Sequence, residues 1–529
     1  MKTAISAAVL AMLSLAEPVL PQSVRAQRPE DSNAVTLQAA LEATLRHSTQ
    51  LRLGERQVQI GLGALLTARA PFDARLTTSL STMRENSIAP NATGAPTSAL
   101  SSSITYAVAM PKQLRSGILI NPQVGLTRLD VANVAGALTS RASVNLDILV
   151  PLLRDRGGAV TAAPERSAER GYEASILDAR HAAAASILGT VSAYWNELAA
   201  EQRLDVYRSS ERRAQQLVDD TRKLVEADER PAAELKQLLA NLALKRAARI
   251  TGEQESVEAR QQLALAMGVY AGGEPSPPRA ITHFPDIVVD EGGGGRADTV
   301  SGGWADSVAG SRAATDAIAD ALHRRADLAA LGARRAAAEL QVAAERSDMR
   351  PRLDLAVGLG YEGLAADGGV DGALASFYRN VPGLNASVQL SYELPVARRA
   401  ARGAVLQNSA AYDQAHIREA ELVRQISSGV FVAGEALRHS RLALQASREA
   451  VTFSRQAVEN EKRKFQLGMS TLFDVILAED ALTNARLGEI AGQHDYAIAI
   501  ARLRYESGAI LGTDGQRTEV SAGSVTTPP

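Results

Sequence analysis

Ser143-Val-Asn-Leu-Asp-Ile-Leu-Val-Pro151 and Ser387-Val-Gln-Leu-Ser-Tyr-Glu-Leu-Pro395 align without a gap, 244 positions apart. In the first, Val144, Leu146, Ile148 and Val150 alternate with Ser143, Asn145 and Asp147. In the second, Val388, Leu390 and Tyr392 alternate with Ser387, Gln389, Ser391 and Glu393. A period of two puts the apolar and polar residues on opposite faces of a strand. Upstream of each block lies another alternating run: Leu76, Thr78 and Leu80 in the first case, and Leu353, Leu355, Val357, Leu359 and Tyr361 in the second. Such strands fit a membrane barrel wall, but taken alone they fit an ordinary half-exposed antiparallel sheet better.

The duplication extends outward from these strands. Residues 51–76 match 328–353 at an offset of 277, with Leu51 on Leu328, Arg69 on Arg346 and Arg75-Leu76 on Arg352-Leu353. Downstream, Arg222-Lys223-Leu224 matches Arg463-Lys464-Phe465, and Glu234-Leu235 matches Asp474-Val475. The order is the same twice: helix, strand, loop, strand, then a very long helical hairpin. From about Arg166 to Ala227 there is no proline, which predicts a helix of about 90 Å at 1.5 Å per residue. Pro231 marks its turn, and a return arm with Leu235, Leu238 and Leu242 at coiled-coil spacing runs to about Met267. The second hairpin runs from about Arg398 to Leu467, turns at Gly468-Met469-Ser470-Thr471 and returns to about Leu511. This gives a first repeat over 28–270, a Gly/Pro-rich linker over 271–312, a second repeat over 313–512 and a flexible tail over 513–529.

Composition narrows the function. A length of 529 residues suggests three or four globular domains at about 150 each, but the repeat replaces that count with one elongated body of two halves. Hydrophobic residues are 46% and aromatics only 4%, as expected of Ala- and Leu-rich helices packed side by side. The balance of 57 Lys+Arg against 59 Asp+Glu offers no basic surface for a nucleic-acid backbone. The absence of cysteine excludes disulfides, thiolate metal sites, a Cys nucleophile and a lipidated N-terminal Cys. Residues 1–27 read as a signal peptide: Lys2, the uncharged stretch Ala4 to Ala16, then Val24-Arg25-Ala26 as a cleavage site. No run is long enough to cross a bilayer as a helix, so a membrane role rests on the strands. Four strands cannot close a barrel, and an open edge is not tolerated in lipid, so several chains would have to share one. The seven histidines are scattered, and His416 with Glu419 reads as surface rather than a ligand pair. Gly358-Leu-Gly360-Tyr-Glu-Gly363 spells a dinucleotide fingerprint, but no helix start follows it. The expectation is a protein without enzyme activity or cofactor.

Further blocks accompany this order: Thr36-Leu-Gln-Ala-Ala-Leu41, Ala70-Pro-Phe-Asp73, Val150-Pro-Leu-Leu-Arg154, Arg325-Ala-Asp-Leu328, Arg350-Pro-Arg-Leu-Asp354 and Lys464-Phe-Gln-Leu-Gly468. With them the chain resembles, over about residues 35–512, the TolC family of outer membrane channels. The resemblance implies a membrane β-barrel plus a long α-helical coiled-coil barrel, with four strands per chain in a 12-stranded barrel shared by a homotrimer. It implies the outer membrane channel of a tripartite efflux or type I secretion system in a Gram-negative bacterium. Such a channel is a passive conduit served by a periplasmic adaptor and an inner-membrane pump. Its lipid-facing residues would be Leu76, Leu80, Val144, Leu146, Ile148, Leu353, Leu355, Val357, Leu359, Val388, Leu390 and Tyr392. The hairpin tips, Ala227, Asp228, Leu467, Gly468, Met469, Ser470 and Thr471, would contact the adaptor.

The family commonly narrows the entrance with two acidic residues three apart. Asp474 matches the first as a periplasmic gate residue, Leu477 stands at the second, and Glu479 and Asp480 are out of register. Phe465 and Ser470 occupy positions where well-studied members place a latching Tyr and Arg. Leu76 and Ser143 are 67 positions apart, against 34 for Leu353 and Ser387. The resemblance places this insertion, with its hairpin-like stretch Ile104 to Leu129, at the cell surface, where it would either lengthen the barrel or cover its mouth. The competing reading is a secreted periplasmic coiled-coil scaffold without channel activity.

Overall fold

The computed structural model describes residues 33–90, 96–131, 139–228, 231–269, 277–287, 309–365, 371, 375, 383–512 and 520–527. The segment read as a signal peptide, most of the linker and residues 513–519 of the tail lie outside these. In chain order the elements begin with β1 (Ala34–Val35), α1 (Leu37–His47) and α2 (Thr49–Arg69). The strands β2 (Thr77–Pro90), β3 (Pro96–Ala109), β4 (Lys112–Gln113), β5 (Leu119–Val131) and β6 (Thr139–Pro151) follow. The first hairpin is α3 (Ala163–Glu226) and α4 (Ala232–Ala266). After β7 (Arg279–Ala280) come α5 (Ala309–Arg324), α6 (Ala326–Asp348), β8 (Arg352–Ala365) and β9 (Leu384–Glu393). The second hairpin, α7 (Arg399–Gln466) and α8 (Leu472–Glu506), precedes a short α9 (Ala522–Thr526).

At 64 and 68 residues, α3 and α7 run about 100 Å each. α3 packs against α2 and α6 near its start and against α4 and α8 further along; α7 packs against α5 and α6 near its start and against α8 near its end. Gly468 ends α7 and Pro231 starts α4, as their chemistry requires. Pro231 sits extended as the N-cap of α4, and Gly468 adopts φ +72°, open to any glycine but strained for a side chain. No described helix is long and apolar enough to cross a membrane.

The long strands form one antiparallel sheet in the order β2-β3-β5-β6-β8-β9, with β4 paired on β5. This corrects the expectation of four strands per chain and of an insertion lying at the cell surface. β3 pairs with β2 from Pro90↔Pro96 back to Thr77↔Ala109, and β5 pairs with β6 from Leu119↔Leu149 outward to Leu129↔Thr139. The inserted hairpin therefore returns the full depth of the sheet to the helical end. The physical reason is that Ile104, Tyr106 and Val108 continue the same two-residue alternation as their neighbours. Their backbone groups are satisfied by ladders on both sides.

The main core lies where α1, the middle of α3, the ends of α4 and α8, and the β7 segment converge. Tyr194 and Trp195 are fully buried there. Trp195 meets Tyr194 edge-on at 5.3 Å and stacks on Phe284 at 5.4 Å, contacts worth about 0.5–1.5 kcal/mol each beyond their area. The Tyr194 hydroxyl accepts from the backbone N–H of Ile281 and Thr282 and lies 2.7 Å from Thr282 Oγ1. Residues 279–284 of the expected linker are thus pinned to α3. The tail expected to be flexible also packs over its described part: Val520 and Val525 are buried in the same core, and Gln38 Oε1 accepts from Ala522 N–H at 2.7 Å.

Candidate functional site

The register assigns every strand residue to one of two faces. Along one face run Leu80, Tyr106, Leu126, Ala142; then Val108, Val124, Val144, Tyr361, Leu384; and Ile148, Val357, Val388. The expected lipid-facing residues Leu80, Val144, Leu146, Ile148, Leu353, Leu355, Val357, Leu359, Val388, Leu390 and Tyr392 all fall here. Leu76, in phase just before β2, is 72% exposed. Towards the outer end this face changes to Arg84, Arg128 and Asp130. The opposite face carries Ser79, Ser81, Ser101, Ser103, Thr105, Gln123, Thr127, Asn145, Asp147 and Gln389, with Thr105 and Thr127 hydroxyls 3.2 Å apart. One face is thus mainly apolar and the other polar, the pattern that suits a wall between an apolar and an aqueous medium. Gly358, Gly360 and Gly363 all lie within β8, which continues to Ala365, so the dinucleotide spelling falls on strand where it would need a helix start.

At the helical end, the turn between β3 and β5 is built into the junction that starts α3. Gly157 N–H donates to Ser116 O at 3.0 Å, and Arg75 N–H to Pro111 O at 3.2 Å. The Arg115 guanidinium makes two hydrogen bonds to Glu165, 2.6 and 2.8 Å, and covers the Phe72 ring at 5.0 Å. Arg69 adds a third contact at 3.2 Å. The Arg115 hydrogen bond holds the Glu165 carboxyl below its ordinary value, against a smaller opposing effect of burial. Gly117 has φ +93°, and a Cβ there would lie 2.3 Å from Asp155 O, so only glycine fits.

At the far tips, the two hairpins end in turns at Ala227-Asp228 and Leu467 to Thr471. Asp228 adopts φ 57°, which Asp tolerates better than most residues. Leu467 and Met469 are 73% and 72% exposed, beside exposed Phe473 and Leu477. Asp474 closes a capping box at the start of α8: its Oδ2 accepts from Thr471 N–H (3.0 Å) and Thr471 Oγ1 (2.6 Å), while Thr471 Oγ1 accepts from Asp474 N–H. These Thr471 hydrogen bonds hold its carboxyl below the ordinary value, as does Ser470, which also binds Glu461. Asp474 is therefore engaged with its own turn.

One turn further on, Glu479 and Asp480 hold the two hairpins together. Arg213 Nε donates to Glu479 at 2.7 Å, Lys462 Nζ to its other oxygen at 2.5 Å, and Lys245 Nζ to Asp480 at 2.5 Å. These four helices, α3, α4, α7 and α8, surround a cavity of about 210 Å³ lined by the same charged side chains. In the sequence both acids stand out of register with the gate motif. Their partners are more than 230 positions away for Arg213 and Lys245, and no local signal marks such a pairing. Glu419, one turn from His416 on α7, is bound to Arg335 at 2.6 Å.

Residues 317–509 match the family model for outer membrane efflux protein. No curated protein matches the chain by sequence. Among solved structures, the outer membrane channel OprN is 18% identical with a TM-score of 0.64, over 89% of this chain and 90% of that one. The outer membrane channel CmeC of Campylobacter jejuni is 15% identical with a TM-score of 0.63, over 94% of both chains. The outer membrane protein VceC of Vibrio cholerae is 16% identical with a TM-score of 0.61, over 89% of this chain and 96% of that one. The fold is that of the TolC-like outer membrane channels.

Proposed function

We propose that this chain, TolC-like in fold and carrying the outer membrane efflux protein match over 317–509, forms the outer membrane conduit of a tripartite export system. Three copies share a barrel in the outer membrane of a Gram-negative bacterium, and their helical arms enclose a duct through the periplasm. The observation that carries this reading is the sheet. It has an apolar band across one face, a polar opposite face and, among the described residues, two edges without a neighbouring strand, mounted on arms of about 100 Å. A sheet with open edges is not tolerated in lipid, which favours assembly with other copies. The apolar face, from Leu76 and Leu80 to Tyr392, meets lipid, and the polar face lines water. The exposed apolar tips at Leu467, Met469 and Phe473, with Ala227 and Asp228 on the neighbouring hairpin, suit docking of a periplasmic adaptor that links the duct to an inner-membrane pump. Asp474 stands at the entrance as a gate residue. The conduit performs no chemistry and needs no cofactor.

Cell fractionation and planar bilayers test this. The expected result is detergent-extracted outer membrane protein, migrating as a heat-modifiable trimer and giving discrete conductance steps. A soluble periplasmic monomer without conductance overturns the proposal and leaves the coiled-coil scaffold reading.

A further inference from the structure

We infer that each chain contributes six strands to the shared barrel, so that three copies close an eighteen-stranded wall with an exit wider than the duct beneath it. The inference rests on the three-chain reading above. Six strands fall short of the smallest closed barrels, of about eight, and the hydrogen-bonded path ends at β2 and β9 without joining them. β2 runs away from the helices and β9 runs back towards them. The β9 edge of one copy therefore meets the β2 edge of the next antiparallel, with Val388 and Leu390 on the same face as Leu80 and Ile88. The contact is head-to-tail, the kind that closes into a ring when the rotation between copies fits.

The inserted strands cannot be a lid over a narrower barrel. Their ladders reach the helical end, where Ala109 pairs with Thr77 and Leu119 with Leu149. Their turn is fastened there by Arg115 to Glu165 and by Ser116 to Gly157. β2 and β6 share no hydrogen bond among the described residues. They stand three strand spacings apart, about 14 Å at ~4.8 Å each. The duct gains nothing comparable: the described residues of the insertion contain no helix, so each chain brings α2, α3 and α4 from one half and α6, α7 and α8 from the other. Barrel width grows roughly linearly with strand number, so the exit is about 1.5 times as wide as a twelve-stranded one, in the range that holds an open aqueous channel. On the water-lining face the added wall is uncharged: Ser101, Ser103, Thr105, Gln123 and Thr127. Selection among substrates is thereby left to the helical arms and their entrance, and the exit is suited to bulky cargo.

The chain has no cysteine, so paired substitutions report neighbours without background. Leu80→Cys with Tyr106→Cys, and Val124→Cys with Val144→Cys, are expected to form disulfides within one chain in the outer membrane. Leu80→Cys with Ala142→Cys is expected to form none. A scan of Cys at Thr78, Leu80 and Thr82 against Val388→Cys is expected to give a ladder of masses ending at three chains. Polymer exclusion from the outer side should shift to solutes about 1.5-fold larger than a twelve-stranded mouth admits. A three-chain ladder with an efficient Leu80–Ala142 bridge, or a ladder ending at two chains, overturns the eighteen-stranded wall while leaving a shared barrel. No ladder and no membrane fraction overturns the conduit itself. Cryo-electron microscopy of the unsubstituted protein decides independently, with eighteen strands expected and twelve refuting.

Discussion

The brace between the hairpins gives the sharpest prediction. Glu479 is 17% exposed at its side chain and receives Arg213 at 2.7 Å and Lys462 at 2.5 Å from two different helices. Glu479→Gln keeps the shape and removes the charge. Hydrogen bonds to charged groups contribute about 1.5–3 kcal/mol when well enclosed, and exposed ion pairs about 0.2–1. Lys462 lies on α7 and binds Glu479 within the second hairpin, so only Arg213, 28% exposed, ties Glu479 to the first hairpin, a contact worth about 1 kcal/mol. That amount corresponds to an opening of the two hairpins from one another about 5-fold more often. Lys245 to Asp480 remains, so separation stays local. Native-state hydrogen exchange should register a protection loss of this order over residues 210–221 and 472–483, with no change in the core around Tyr194 and Trp195. In planar bilayers the same variant should spend more time in its higher conductance level. Unchanged exchange over both tip segments would refute the reasoning, because it would mean that apolar contacts such as Val218 with Leu238 and Leu472 hold the tips alone.

Four further outcomes are expected. Asp474→Ala removes a negative charge at the proposed entrance and should weaken block by divalent cations and change single-channel conductance; if neither moves, Asp474 serves only as the helix cap. Arg325→Met leaves Asp327 and Glu506 facing each other without the guanidinium that is 9% exposed between them, and should cost about 3 kcal/mol in urea unfolding of the detergent-extracted protein. Burial pushes the Asp327 carboxyl up, but the Arg325 hydrogen bonds and charge, with His181 at 3.7 Å, outweigh it and hold it below its ordinary 3.8. Its stabilisation is therefore complete above that value and lost as pH falls through the lower folded one, so an unfolding series should be flat near neutrality and decline below about pH 4. Gly117→Val drives a Cβ onto Asp155 O and the Pro151 ring and should cost about 2–3 kcal/mol, read as a lower yield of heat-modifiable complex; a normal yield would show that the inner turn of the hairpin is not needed for assembly.

Much of this protein is local in origin. The alternation of Val144 to Val150 and of Val388 to Tyr392 assigns strand faces because successive side chains must point to opposite sides. The turns at Pro231 and Gly468 delimit the arms because one lacks an N–H and the other accepts a positive φ. Duplication supplies the plan of two halves. The same logic made Ile104, Tyr106 and Val108 legible as strand, yet it could not say whether that strand stood in the wall or above it. Both placements satisfy a period of two, and only the ladders to Thr77–Pro90 and Leu119–Val131 choose between them. The tail was unreadable for a related reason: Val520 and Val525 are two isolated apolar residues whose burial depends on a groove formed by α1 and α8. So was the brace, since Arg213 and Glu479 come together only because the hairpins of both halves pack side by side. What the sequence determined alone was periodicity, element length and repeat order, which follow from interactions within a few residues. What tertiary structure decided was which strands are neighbours and which charges meet. Those depend on hydrogen bonds and desolvation between segments far apart in the chain.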